Sequence, residues 1–158
     1  MIRLSKLTDY AVVVMTAMMR SDAAMHAAGA LADRTGLPAP TVSKLLKLLT
    51  KAGLVTSHRG AAGGYSLATS PDLITVAAII GAIDGPIALV DCVDGAEGAC
   101  GVESLCARKG NWDKVNQAVR RALEGVTLAD MATPSFPPLP PAPPRAKAGA
   151  ATAGQRIS

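Results

Sequence analysis

Leu7, Tyr10, Ala11, Val14 and Met18 recur at intervals of three and four, the spacing at which side chains share one face of an α-helix. They predict a largely buried first helix over about residues 7 to 21. A shorter helical stretch, AGALADRTG, turns Leu31 and Ala32 inward and reaches its stop at Gly36. Pro38 and Pro40 bar the following LPAP from a helix interior, yet Pro40 suits a first helical position, so a second helix starts straight after a tight turn. In that helix, PTVSKLLKLLTKAG, Val42, Leu45, Leu46 and Leu49 make an apolar face, with Ser43, Lys44, Lys47 and Lys51 on the other side and Gly53 at the end. Two short helices about a tight turn predict a helix-turn-helix.

Downstream, LVTSHRGAAGGYSLA alternates β-prone residues about a glycine-rich tip and predicts a hairpin, with Gly63 and Gly64 expected to supply positive φ at the turn. ITVAAIIGAID reads as a buried helix with Thr75 as N-cap and Gly85-Pro86 as its stop. Asn111 is expected to cap a long amphipathic helix with the stripe Trp112, Val115, Val119, Ala122 and Leu123, ending at Gly125. TLAD has capping-box spacing for a last short turn. The fold class is therefore mainly α with a small β wing: a winged helix-turn-helix plus a long C-terminal helix. Residues 1–70 form the winged helix-turn-helix region, and 71–132 a cysteine loop and long helix packed on it as one compact unit. Residues 133–158 form a Pro/Ala-rich tail that holds seven of the eleven prolines and is expected to be disordered.

Hydrophobic residues make up 49% of the 158 residues but aromatics only 3%, so aliphatic side chains fill the core. The net charge of +4 conceals an asymmetry. Residues 1–70 carry eight cations against three acids, residues 71–132 five against nine, and the tail three against none. The N-terminal region is thus the part that attracts a polyanion. The apolar run YAVVVMTAMM, preceded by Arg3 and Lys6, superficially resembles a secretion signal, but Asp9, Thr16 and the lack of a following cleavage site argue against one. It is also shorter than the roughly 20 apolar residues of a membrane span. These features predict a cytoplasmic protein with no membrane partner. No phosphate-binding loop, nucleophile elbow or framed acid-base pair indicates an enzyme.

Duplex DNA admits one helix into its major groove, and the gripping side chains must project from one face near the helix N-terminus. Thr41, Ser43, Lys44 and Lys47 meet that requirement, with Lys51 further along and Arg59 at the start of the wing. From Pro40 to Gly60 there are four Lys/Arg and no acid, so phosphate contacts meet no local carboxylate. His26 and His58 are isolated and read as surface or turn residues.

All three cysteines, Cys92, Cys100 and Cys106, lie in CVDGAEGACGVESLC. Residues 91–106 hold four carboxylates and no Lys, Arg or His, the opposite of what lowers the pKa of a reactive thiol. A metal would supply the missing positive charge, and three thiolates suggest an iron-sulfur cluster with a fourth ligand from elsewhere. Unliganded surface cysteines remain the alternative.

The stretches RLSKLTDYAV, TVSKLLKLLTKAGLV, RGAAGGYSLA and ITVAAIIGAIDG, with three late cysteines, resemble the BadM/Rrf family of winged-helix regulators of IscR and NsrR type, over about residues 2 to 131. LPAPTVSKLLKLL, DGPIALVDC and EGVTLADM look most like the branch regulating SUF-type iron-sulfur cluster assembly. The resemblance implies a homodimer on a palindromic operator, acting as repressor, with Trp112, Val115, Val119, Ala122 and Leu123 as dimer seam. It also implies a 2Fe-2S or 4Fe-4S cluster on Cys92, Cys100 and Cys106. Where IscR-like members place a histidine ligand this chain has Lys109, whereas Asp9 matches the NsrR-like aspartate given by the partner subunit. Two alternatives stay open: a cluster-free winged-helix repressor sensing oxidants through its thiols, and an iron-sulfur carrier or scaffold.

Overall fold

The computed structural model describes residues 3–21, 23–61, 63–90, 93 and 109–133. Helix α1, Lys6–Met19, is capped by Ser5, whose hydroxyl accepts from the Thr8 amide at 3.1 Å. It ends with its apolar period, short of the expected residue 21. Arg20 leaves the helix and donates to the Ala132 carbonyl.

Helix α2, Ala28–Thr35, closes on Gly36 at φ 69, the left-handed conformation that glycine adopts at least cost. Helix α3, Ala39–Lys51, begins one residue before the expected Pro40. Pro38 is the N-cap, and its carbonyl accepts from the amides of Thr41 and Val42 at 2.9 and 3.1 Å, while Pro40 sits in the first turn, where a missing N–H costs nothing.

Strands β1, Val55–His58, and β2, Gly64–Leu67, pair antiparallel from Val55↔Leu67 to His58↔Gly64. Positive φ at the turn falls on Gly60, at 110°, and not on Gly63 or Gly64 as the sequence suggests. Those two glycines answer a different demand, close approach of backbone. A Cβ on Gly63 would collide with the His58 carbonyl oxygen, and one on Gly64 would stand 2.8 Å from the His26 carbonyl oxygen.

His26 itself is the main surprise. It is buried, and its amide and carbonyl exchange hydrogen bonds with Tyr65, both 2.9 Å, so the α1–α2 connection adds a one-residue third strand to the wing. The expectation of a surface or turn residue is corrected here: the backbone pairing needs no particular side chain and leaves no periodic trace. His58 is exposed, as expected, with its Nε2 3.0 Å from the Ser66 hydroxyl.

A short 3-10 turn, Pro71–Leu73, leads to α4, Val76–Ile83, capped by Thr75 as expected, with Gly85 beyond it at φ 88. Helix α5, Lys109–Glu124, starts before Asn111, which lies inside the first turn and is not the N-cap. Helix α6, Leu128–Ala132, has the expected capping box: Thr127 accepts from the Asp130 amide, and Asp130 from the Thr127 amide at 2.9 Å. The Leu128 amide donates to the Ile74 carbonyl at 2.8 Å, and the Val76 amide to the Val126 carbonyl at 2.9 Å, fastening α6 beside the start of α4.

One core joins these parts. Val14 and Met15 of α1, Leu45, Leu46 and Leu49 of α3, Ile79 of α4 and Leu128 of α6 are all fully buried in the same cluster. Full burial of an aliphatic side chain contributes about 1.5–3 kcal/mol, so the helix-turn-helix leans on elements from the C-terminal half. Among the described residues no helix is long and apolar enough to cross a membrane.

Candidate nucleic-acid interface and cysteine segment

The amphipathic division of α3 explains how its polar side chains reach solvent. With Val42, Leu45, Leu46 and Leu49 locked inward, Lys44, Lys47 and Lys51 are exposed on the opposite face, and Thr41 and Ser43 are half-buried at its N-terminal end. Arg59 is exposed directly after β1. Lys47, Thr50 and Lys51 share a groove of about 310 Å³ with Ser57 and Tyr65, so the cationic side of α3 and the wing border one surface. The single ion pair among the described residues, Arg120–Glu124 at 3.9 Å, lies on α5, far along the chain from these cations. A positive helix face beside a cationic wing is suited to grip a phosphate backbone.

The wing is joined to the α1–α2 connection through its pairing with His26. That imidazole is held below its ordinary pKa, first by burial and second by the nearby Arg34 guanidinium, against a smaller opposing pull from the Met18 backbone. It is therefore neutral near pH 7.

Asp9 is exposed in the first turn of α1 and rims a groove of about 560 Å³ shared with Val13, Arg20, Arg34 and Met131. Cys92, Cys100 and Cys106 lie outside the described residues. Among the described residues there is no group of three or more His, Cys, Asp or Glu side chains arranged to hold a metal ion. The approach to Cys92 is described. Asp84 accepts from the Thr8 hydroxyl at 2.8 Å and from the Ser5 amide at 3.4 Å. Burial tends to raise the Asp84 pKa, but the Ser5 and Thr8 hydrogen bonds outweigh it and hold the carboxyl below its usual value. Further on, Val93 is buried and its amide donates to the Val90 carbonyl at 3.4 Å.

On α5, Trp112 and Val115 are 43% and 45% exposed, Ala122 is exposed, and Val119 and Leu123 are half-buried. Sequence reasoning passed over Asn116, which is only 3% exposed and whose amide is satisfied by the chain at Ile87 and Leu89. The available signal was a polar residue four positions after Trp112, on the inner side of an otherwise apolar stripe.

The Rrf2 family model, an iron-dependent transcriptional regulator, matches residues 4–134. The HTH-type transcriptional regulator CymR of Bacillus subtilis (strain 168) is 35% identical over 103 residues, 65% of this chain and 69% of the relative. The HTH-type transcriptional regulator IscR of Aliivibrio salmonicida is 33% identical over 132 residues, 80% of this chain and 76% of the relative. Among solved structures, CymR, the global cysteine regulator of B. subtilis, superposes with a TM-score of 0.63 at 30% identity, covering 84% of this chain and 97% of that one. IscR of T. potens superposes with a TM-score of 0.59 at 31% identity, covering 82% and 85%.

Proposed function

Because the chain belongs to the Rrf2 family, whose members are DNA-binding transcriptional regulators and not enzymes, we propose that it is a repressor that senses iron-sulfur clusters and controls SUF-type cluster-assembly genes. It acts in the cytoplasm as a homodimer on a palindromic operator. The observation that carries the sensing role is the set of three cysteines among four carboxylates with no protein cation between residues 91 and 106. Thiolates so placed need an external positive charge, and this donor set, with an exposed carboxylate at Asp9, fits an iron-sulfur cluster of 2Fe-2S or 4Fe-4S type. When bound, the cluster supplies that charge and a site open to loss by oxidation.

The protein's own residues do the rest. Lys44 and Lys47 neutralise phosphates while Thr41 and Ser43, at the N-terminal end of α3, contact base edges or backbone. Lys51 and Arg59 extend the cationic surface towards and along the wing. Trp112, Val115, Val119, Ala122 and Leu123 form the seam between two α5 helices. Cys92, Cys100 and Cys106 hold the cluster, and Asp9 of one subunit completes the set in the other. A ligand shared across subunits biases how the two DNA-reading halves are held, and linkage requires DNA to tighten cluster binding by the same factor.

The likeness to CymR supports a second reading, in which the cysteines respond to oxidants without a cluster. Family membership sets aside the carrier or scaffold alternative. Anaerobic purification with iron and sulfide analysis separates the two remaining readings: a brown protein with sulfur-to-iron absorption supports the first, and colourless protein with three free thiols after reconstitution overturns it. Footprinting on the promoter of the cluster-assembly genes tests the repressor assignment.

A further inference from the structure

Asn116 lies on α5 with its side chain turned away from solvent, only 3% exposed. Its Nδ2 donates to the Ile87 carbonyl at 3.0 Å, and its Oδ1 accepts from the Leu89 amide at 3.1 Å. A carboxamide offering one donor and one acceptor to alternate backbone groups pairs with the chain as a strand neighbour would. Burying it is justified by that pairing, since an apolar side chain would leave both backbone groups without these partners. The clamped stretch leads directly into Cys92. Its upstream end is tied to α1 by Asp84, and downstream Val93 is buried and its amide donates to the Val90 carbonyl. In sequence Cys92 lies between Val90 and the buried Val93, and the described chain from Asp84 to Val90 is free of helix and strand.

We propose that Asn116 is a positioning residue that holds the chain entering Cys92 against α5, so that the placement of the first cysteine is linked to the helix bearing the dimer seam. The inference rests on the reading of Cys92 as a cluster ligand. Asn116 touches neither the cluster nor DNA. It acts through residues 87–90, and a movement of α5 at the subunit contact reaches Cys92 through this clamp.

The test compares Asn116→Leu and Asn116→Ala with the parent full-length protein, reconstituted anaerobically. Leucine keeps the volume and removes both hydrogen bonds. Alanine admits water to the freed groups and keeps the test usable if the leucine variant does not fold. Leu128→Ala, a fully buried core position on α6, controls for general destabilisation. The expected result has three parts: parent-like iron and sulfide uptake, iron loss to a ferrous chelator about tenfold faster in the Asn116 variants, and accelerated hydrogen exchange at the Leu89 amide. DNA affinity of the cluster-free form stays at the parent value. Chelator loss at the parent rate, or equally fast loss in Leu128→Ala, overturns the proposal. A parent protein that takes up no iron overturns the cluster reading itself, an outcome seen without any variant and so distinct from failure of the clamp.

Discussion

Replacing Gly64 by alanine tests the join between the wing and the helical body. The added Cβ would stand 2.8 Å from the His26 carbonyl oxygen, 3.1 Å from its carbon and 3.3 Å from its nitrogen. All three atoms are backbone, so no side-chain rotation relieves the contact. Gly64 does not have positive φ, which removes backbone strain as a rival cause. Relief requires β2 to move off residue 26, and that sacrifices the two 2.9 Å hydrogen bonds between His26 and Tyr65. At about 0.5–1.5 kcal/mol each the loss is roughly 1–3 kcal/mol, offset by about 0.4–1 kcal/mol from the stiffer unfolded chain. The net cost is about 1–2 kcal/mol, or a fall in Tm of roughly 3–8 °C for a domain of this size. Gly29 provides the control. It lies in α2 with open space where a methyl group would be added, so the same glycine-to-alanine change there should stabilise by about 0.5–1 kcal/mol. The assay is thermal unfolding by circular dichroism, followed by operator titration at several salt concentrations. Arg59 moves with the wing, so DNA affinity should fall as well. A Gly64→Ala protein melting within about 1 °C of the parent, below the shift expected for the lost bonds, would refute the claim that the pairing with residue 26 secures the wing.

Lys44→Ala and Lys47→Ala should each weaken DNA binding and reduce the slope of log K against log salt by about 0.9, the share of one phosphate contact; unchanged slopes from fluorescence anisotropy would remove these lysines from the interface. Trp112→Glu with Val115→Glu, at positions 43% and 45% exposed, should leave the fold intact and shift sedimentation from dimer to monomer; a persistent dimer would place the seam elsewhere. His26 has a lowered pKa, so the unfolded chain takes up the proton first as pH falls. The stability tied to neutral His26 is present above about pH 6.5 and is lost as pH drops through the lower folded value. Melting curves from about pH 7.5 to 5, a range that spans the ordinary histidine value, should show this decline, and His26→Gln should flatten it; an unaltered slope would assign the decline to other groups.

Periodicity made the helical frame legible because each helix buries one clean stripe, as Val42, Leu45, Leu46 and Leu49 do in α3. Capping side chains gave Thr75 and Thr127 for the same reason, their partners being three residues away. What escaped was nonlocal. His26 meets Tyr65 through main-chain atoms alone, and Gly63 and Gly64 are small because of neighbours distant in sequence or across the hairpin, not because of their own torsions. Asn111 resembled a cap since asparagine favours such sites, but α5 continues past it to Lys109. In the candidate site, the exposed cations of α3 followed directly from the inward leucines. The cysteine readings fall outside the described residues, and Asp9 is seen only as an exposed carboxylate on α1.

The knot of Ser5, Thr8 and Asp84 ties residues separated by 79 positions, one of them near the amino end of the chain. A substitution at Ser5 or Thr8, at the cap of the first helix, would therefore be felt on the far side of α4, in the polypeptide around Asp84.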